Sequence, residues 1–235
     1  MSEAPRFPPL LRGVAVPAGT DPLLRAEARA REGCDAGTLF HDIRADRLRA
    51  AIVFAPEVPL ERAMVMLPLC AVGFQNALGA LAPPEVGVHL GWDGALYLNG
   101  AKCGRLRVRA DPVARGVVPG WLVIGLDLRV MMFSDAPGDT PERTSLHDEG
   151  CAGIAPVQLL EAWARHMLVW INRWSDEGAA PLHGEWTGLA RDLGRRVEFG
   201  GQRGTFLGVD EHFGMLLRDG DTTRLIPLTT LIEGR

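Results

Sequence analysis

The sequence predicts an α+β protein with a small all-β unit at its C-terminal end. Three observations carry this. Helix punctuation brackets residues 20–33, and an apolar stripe at helical spacing runs through residues 156–174. Between them lies a block of strand-like segments, from "VGVHL" to "WLVIGLDLRVMMF". After about residue 190, short alternating segments are separated by Gly200-Gly201, Asp210-Glu211 and Asp219-Gly220. With 235 residues, 47% of them hydrophobic, the chain can bury a full core. We expect a main domain over residues 1–188 and a second over 189–235, small enough to lean on the first for stability.

Taken in order, the first nine residues are Pro-rich and predicted to be loose. Thr20 or Asp21 caps a short helix with Pro22 in its first turn and Gly33 just past its end. "AAIVFAPE" reads as a buried strand closed by Pro56. Residues 60–81 carry a helical apolar pattern interrupted by Pro68, which predicts a kink or two consecutive helical pieces. In "GRLRVRA", Leu106 and Val108 alternate with Arg105, Arg107 and Arg109, so one face packs inward and the other presents guanidinium groups. Asn99-Gly100 is a strong signal for a two-residue hairpin, because a type I′ turn needs positive φ at both central positions. "SDAPGDTPERTS" (134–145) is a loop by composition, and "SDEGAAPLHG" reads as a linker-like break after the long helix.

Composition narrows the function. No apolar run approaches the roughly 18 residues of a membrane span, and the N-terminus lacks a signal-peptide pattern, so a cytoplasmic protein is expected. The four cysteines are scattered without a C-x-x-C pair, as expected of reduced thiols. A net charge of -4 argues against a general nucleic-acid binder. Neither a P-loop nor a G-x-G-x-x-G turn occurs, nor H-E-x-x-H, nor G-x-S-x-G.

One position stands apart. Of 25 Lys plus Arg, all but Lys102 are arginine. An ammonium is a compact point charge where a guanidinium is a wide planar fork, so retention of lysine fits a site where a cation must sit between two close oxygens; a solvated lysine beside a turn is the plain alternative. Lys102 falls just past the predicted hairpin turn, on a rigid strand, and Gly104 leaves the backbone open to a ligand. Cys103 beside it is a weak candidate nucleophile, because neighbouring strand residues point to opposite faces.

The order "LGWDGALYLNGAKCGRLRVRA", "WLVIGLDLRV", "TSLHDEG", a long helix and "LGRRVEFGGQRGTFLGVDEHFGMLLRDGDTTRLIPL" resembles the biotin protein ligase branch of the biotin/lipoate A/B protein ligase superfamily, over about residues 16–233. The resemblance implies a mixed sheet flanked by helices, of the class II synthetase and biotin ligase type, followed by an SH3-like C-terminal domain. It implies a two-step reaction in which ATP, with Mg²⁺, and biotin (or lipoate or octanoate) form an acyl-adenylate. A lysine of a biotinyl or lipoyl carrier domain then takes the acyl group. The catalytic lysine of a K-W-P-N-D-x-x-x-x-x-x-K segment aligns with Lys102, and "AGTDPLLRAEARAREG" resembles a D-S-T-N-x-x-A segment, which makes Thr20 the biotin-side hydroxyl. Trp92 matches the tryptophan, and Gly104 a flanking small residue.

Departures from the pattern are also visible. "TLFHDIRADRLRAAIVF" stands where the family has a G-R-G-R-x-G-R loop, and leaves Arg44, Arg47 or Arg49 either to reach a phosphate or to stand as ordinary solvated arginines. Asp93 replaces the proline of K-W-P-N-D and is assigned a polar or Mg²⁺-bridging role. Asp127 and Arg129 replace the second glycine and the asparagine of I-G-I-G-I-N-V. The expected partners are a small acyl substrate and a carrier domain, with no DNA, no membrane and a possible homodimer through an exposed sheet edge. The alternatives are a non-catalytic ligand- or carrier-binding relative, or an acyl transferase that needs no ATP.

Overall fold

The computed structural model describes residues 4–132 and 140–234. Seven strands form one sheet: β1 (Arg12–Ala15), β2 (Thr38–Ile43), β3 (Arg47–Phe54), β4 (Val88–Leu90), β5 (Ala95–Leu98), β6 (Ala101–Ala110) and β7 (Leu122–Arg129). Their spatial order is β1-β2-β3-β7-β6-β5-β4. β1 runs parallel to β2 and the remaining pairs are antiparallel, so the sheet is mixed as expected. Strands β1 and β2 carry no strong alternation and escaped the sequence reading.

Alternation assigns the two faces of the sheet. Leu39, Ala50, Ile52, Leu106, Val108, Ile124 and Leu126 point into the main core. That core is closed by helices α2 (Leu60–Ala63), α3 (Met66–Gly79) and α4 (Pro156–Glu177). On α4 the predicted stripe of Leu160, Trp163, Met167 and Trp170 is buried. Gly73 lets α3 and α4 cross closely, since a Cβ there would lie 3.2 Å from the Met167 nitrogen. The predicted interruption of residues 60–81 is real, but it falls at Met64-Val65. Pro68 sits inside the first turn of α3, where its missing N–H would have had no helical partner in any case.

Helix α1 (Pro22–Arg31) covers part of the opposite face, over Phe40, Ala51, Val53 and Val123. Asp21 is its cap, accepting a hydrogen bond from the Leu23 N–H at 3.0 Å. Gly125 permits the approach, since a Cβ would meet Leu23 Cδ1 at 3.1 Å.

The expected break at "SDEGAAPLHG" is a correction. α4 runs through Glu177, only Gly178 and Ala179 follow, and α5 spans Ala180–Leu189. Pro181 opens that helix instead of breaking one. Residues 134–139 of the expected 134–145 loop lie outside the described residues.

The C-terminal unit is a four-stranded antiparallel sheet in the order β11-β10-β9-β8, made of β8 (Arg196–Phe199), β9 (Gln202–Val209), β10 (Met215–Asp219) and β11 (Thr222–Ile226). It is consistent with an SH3-like domain. Phe206, Phe213, Met215 and Leu217 join the main core. No helix among the described residues is long and apolar enough to cross a membrane.

Candidate active site

The hairpin between β5 and β6 turns at Asn99 (φ 46°) and Gly100 (φ 93°), the positive pair that a type I′ turn demands. The ladder then slips: Tyr97 pairs with Lys102, but Leu96 pairs with Gly104. Cys103 is the extra residue of a β-bulge, and the bulge reverses the alternation. Leu96 and Leu98 face the core, so Tyr97 and its partner Lys102 face the other way. Without the extra residue Lys102 would follow Leu106 and Gly104 inward. The bulge instead turns it to the face carrying Arg105, Arg107 and Arg109.

Cys103 points inward, fully buried, and its Sγ–H approaches the Leu96 carbonyl at 3.4 Å. Burial pushes this thiol up to about 12, which removes it as a nucleophile at neutral pH. Gly104 has a packing role. It is buried between strands, and a Cβ would stand 2.5 Å from the Asp127 carbonyl and 3.1 Å from Leu128 Cα. Close packing of β6 on β7 requires the glycine.

The uncovered part of this face is densely cationic. Arg129 donates to the Lys102 carbonyl at 2.8 Å, and Arg143 is bridged to Lys102 in the backbone. Lys102, Arg105, Arg129 and Arg143 form no ion pair among the described residues, although the charge of Arg105 acts on Glu233 and that of Asp127 on Arg129. Burial and then the neighbouring charge of Arg143 lower the pKa of Arg129, as expected where positive charge is incompletely balanced.

The other arginines are occupied. Arg47 makes a bidentate pair with Asp127 at 2.7 and 2.6 Å, while Arg44 and Arg49 share Asp42. Arg44 and Arg47, read from the sequence as phosphate-reaching, are therefore engaged by carboxylates. Arg107 is held by Glu233 on one side and by Asp21 at 2.9 Å on the other, which fixes the Thr20 end of α1 above β6. The hydrogen bonds that Arg107 donates to Glu233, ahead of the one it donates to Asp21, raise its pKa against the effect of burial. Thr20 is half-buried and its N–H donates to Pro17 at 3.1 Å.

Trp92 and Asp93 serve local structure. The buried Trp92 indole donates to the Phe213 carbonyl at 2.7 Å and stacks edge-on against Phe199, so it joins the two domains. The same side chain also borders the crevice between Asp93 and Phe199. Asp93 accepts from the Ala95 N–H at 3.1 Å within its own turn. It also lines a crevice of about 160 Å³ with Tyr97, Arg191 and Glu198. Among the described residues no cluster of three or more His, Cys, Asp and Glu side chains is set to hold a metal.

Sequence reasoning missed Glu233, Arg143 and Arg191. Each comes from a segment remote in the chain and carries no motif. Where "G-R-G-R-x-G-R" would fold over the site, β2 and β3 are joined by Arg44, Ala45 and Asp46 alone, closed by a 2.9 Å bond from the Arg44 N–H to the Arg47 carbonyl.

Residues 7–188 match the biotin/lipoate A/B protein ligase family. The chain belongs to that family. Residues 193–234 match a domain of unknown function, DUF4444. None of the curated proteins compared with the chain matches it. Among solved structures, a biotin protein ligase-like protein of unknown function from Silicibacter sp. TM1040 is 56% identical, with a TM-score of 0.93 over 97% of this chain and 99% of that one. Biotin protein ligase from Aquifex aeolicus is 16% identical, with a TM-score of 0.71 over 92% and 94%. The same enzyme in complex with biotin and ATP gives 14% and 0.67 over 92% and 94%. At that identity the likeness is one of fold.

Proposed function

We propose that this member of the family activates a carboxylic acid of the biotin, lipoate or octanoate class with ATP and passes the acyl group to a carrier-domain lysine. One observation carries the reading: the bulge at Cys103 turns the sole lysine outward, onto a face where Arg105, Arg129 and Arg143 form no ion pair among the described residues. A carboxylate oxygen attacks the α-phosphorus and pyrophosphate leaves. The acceptor amine then attacks the acyl carbon, AMP leaves, and the amine proton passes to solvent. Lys102 would bridge the carboxylate and α-phosphate, offsetting their repulsion as they meet without needing a bidentate geometry. Arg105, Arg129 and Arg143 would take the charge of the departing pyrophosphate, and Thr20 would border the acyl end. Mg²⁺ accompanies ATP in this chemistry. Among the described residues no cluster of three or more His, Cys, Asp and Glu side chains forms a resident site for it, and no step is routed through it.

A second reading has its own support. The three-residue β2–β3 turn leaves an adenylate without the cover that a longer loop would supply. An acyl group moved directly between carriers, without ATP, needs no such cover. Pyrophosphate exchange with biotin, lipoate and octanoate, run beside octanoyl transfer between carrier domains without nucleotide, separates the two. Acid-dependent exchange supports activation. Transfer without exchange supports the second reading, and neither activity would sink both.

A further inference from the structure

The linker between α5 and the C-terminal sheet touches the hairpin that carries Lys102. The Arg191 N–H donates to the Leu90 carbonyl at 2.8 Å, and Leu90 and Ala190 form a parallel bridge, so the linker runs along the free edge of β4. From there the Arg191 guanidinium lies 4.0 Å over the Tyr97 ring centroid, and its NH1 donates to the Gly100 carbonyl. Tyr97 is the cross-strand partner of Lys102 at the bulge, and Gly100 is the second residue of the turn just before it. One side chain thus holds one arm of the hairpin by its face and the turn by its edge.

We infer that Arg191 is a positioning residue for Lys102, fixing the bulge from the linker that leads into the C-terminal domain. The inference rests on the reading of Lys102 as the charge that meets the ligand. A bulge leaves one residue out of the ladder and is a soft point in a strand. External supports therefore set where Lys102 points. Two come from residues 142–149: the Lys102 N–H donates to the Glu142 carbonyl at 2.8 Å, and the Asn99 amide donates to Glu149 at 2.8 Å. Arg191 supplies the support on the opposite side. A guanidinium can stack on a ring and donate in its own plane at once, and an ammonium cannot do both with the same geometry.

Because Lys102 is the only lysine, full-length protein labelled with ¹³C,¹⁵N-lysine gives a single side-chain spin system that reports on this residue whether or not any activity is known. Arg191→Ala is expected to displace or split that signal, and Arg203→Ala, which removes an exposed ion pair of the C-terminal sheet, to leave it in place. With an acid that supports pyrophosphate exchange, Arg191→Ala and Arg191→Lys should lower kcat by about tenfold to a hundredfold, with KM for the acid within about twofold. A Lys102 signal unchanged in folded Arg191→Ala overturns the inference, as does full kcat in Arg191→Lys. A lowered melting temperature with an unmoved signal would make Arg191 a domain rivet only, and also overturns it. Should Arg191→Ala fail to fold, Arg191→Gln, which keeps a donor for Gly100 and loses the cation, is read the same way. If no acid supports exchange in the wild type, the proposed function fails while the lysine spectrum still decides the role of Arg191.

Discussion

Replacing Gly104 by alanine tests whether that glycine serves packing or a ligand. The added Cβ would lie 2.5 Å from the Asp127 carbonyl oxygen, where ordinary contact begins at 3.4 Å. The obstacle is backbone on both β7 residues, so no side chain can swing aside. β6 and β7 must part by roughly 0.9 Å at this point, a large fraction of the slack in a ladder with strands about 4.8 Å apart. Overpacking of this kind costs about 1–3 kcal/mol. For a chain of this size that is a fall in melting temperature of about 2–12 °C. Gly184→Ala is the control: Gly184 lies within α5, nothing stands within 4 Å of its Cβ position, and helix propensity should stabilise the variant by about 0.5–1 kcal/mol. Thermal unfolding of both variants beside wild type reads the difference. A Gly104→Ala protein as stable as wild type but impaired in ligand binding would refute the packing argument and restore a ligand-facing role.

Trp92→Phe leaves the buried Phe213 carbonyl without its 2.7 Å donor and should cost about 1–3 kcal/mol, seen in urea unfolding; no loss would mean that Trp92 does not join the domains. Burial alone would raise the Glu233 carboxyl, but the hydrogen bonds and charge of Arg107 outweigh it and hold its pKa below the usual range. That stability is present above the ordinary carboxylate pKa and is lost as pH falls through the depressed folded value. Glu233→Gln should therefore be weaker by about 1–2 kcal/mol at neutral pH, with the gap closing in acid; parallel unfolding curves from pH 7 to pH 3 would contradict this. Alkylation of the native protein should modify half-buried Cys34 first and reach Cys70 and Cys103 only on unfolding, a pattern that peptide mapping checks directly.

Much of the scaffold was legible where one local rule decided the outcome. The Asp21 cap, Pro22 and Gly33 marked α1. Asn99-Gly100 marked the hairpin, and the arginine alternation of β6 marked its two faces. What escaped the reading depends on non-local geometry. A bulge inserts one residue without any compositional mark, so the direction of Lys102 could be known only from its pairing with Tyr97. Trp92 matched a motif by identity, but its indole is committed to Phe213, a residue 121 positions away. Arg44 and Arg47 were visible as cations, whereas their partners Asp42 and Asp127 emerged only when β2, β3 and β7 were laid side by side. "SDEGAAPLHG" read as a linker because a proline at a helix start and one in a linker look alike until the helix is seen.

Acid-dependent exchange of pyrophosphate into ATP, compared between wild type and Lys102→Arg, bears most directly on the role given to the single ammonium. Exchange is expected with one of the three acids, with a fall of about a hundredfold or more in the variant, which keeps the charge but not its compact shape. Exchange at the wild-type rate in Lys102→Arg would contradict it.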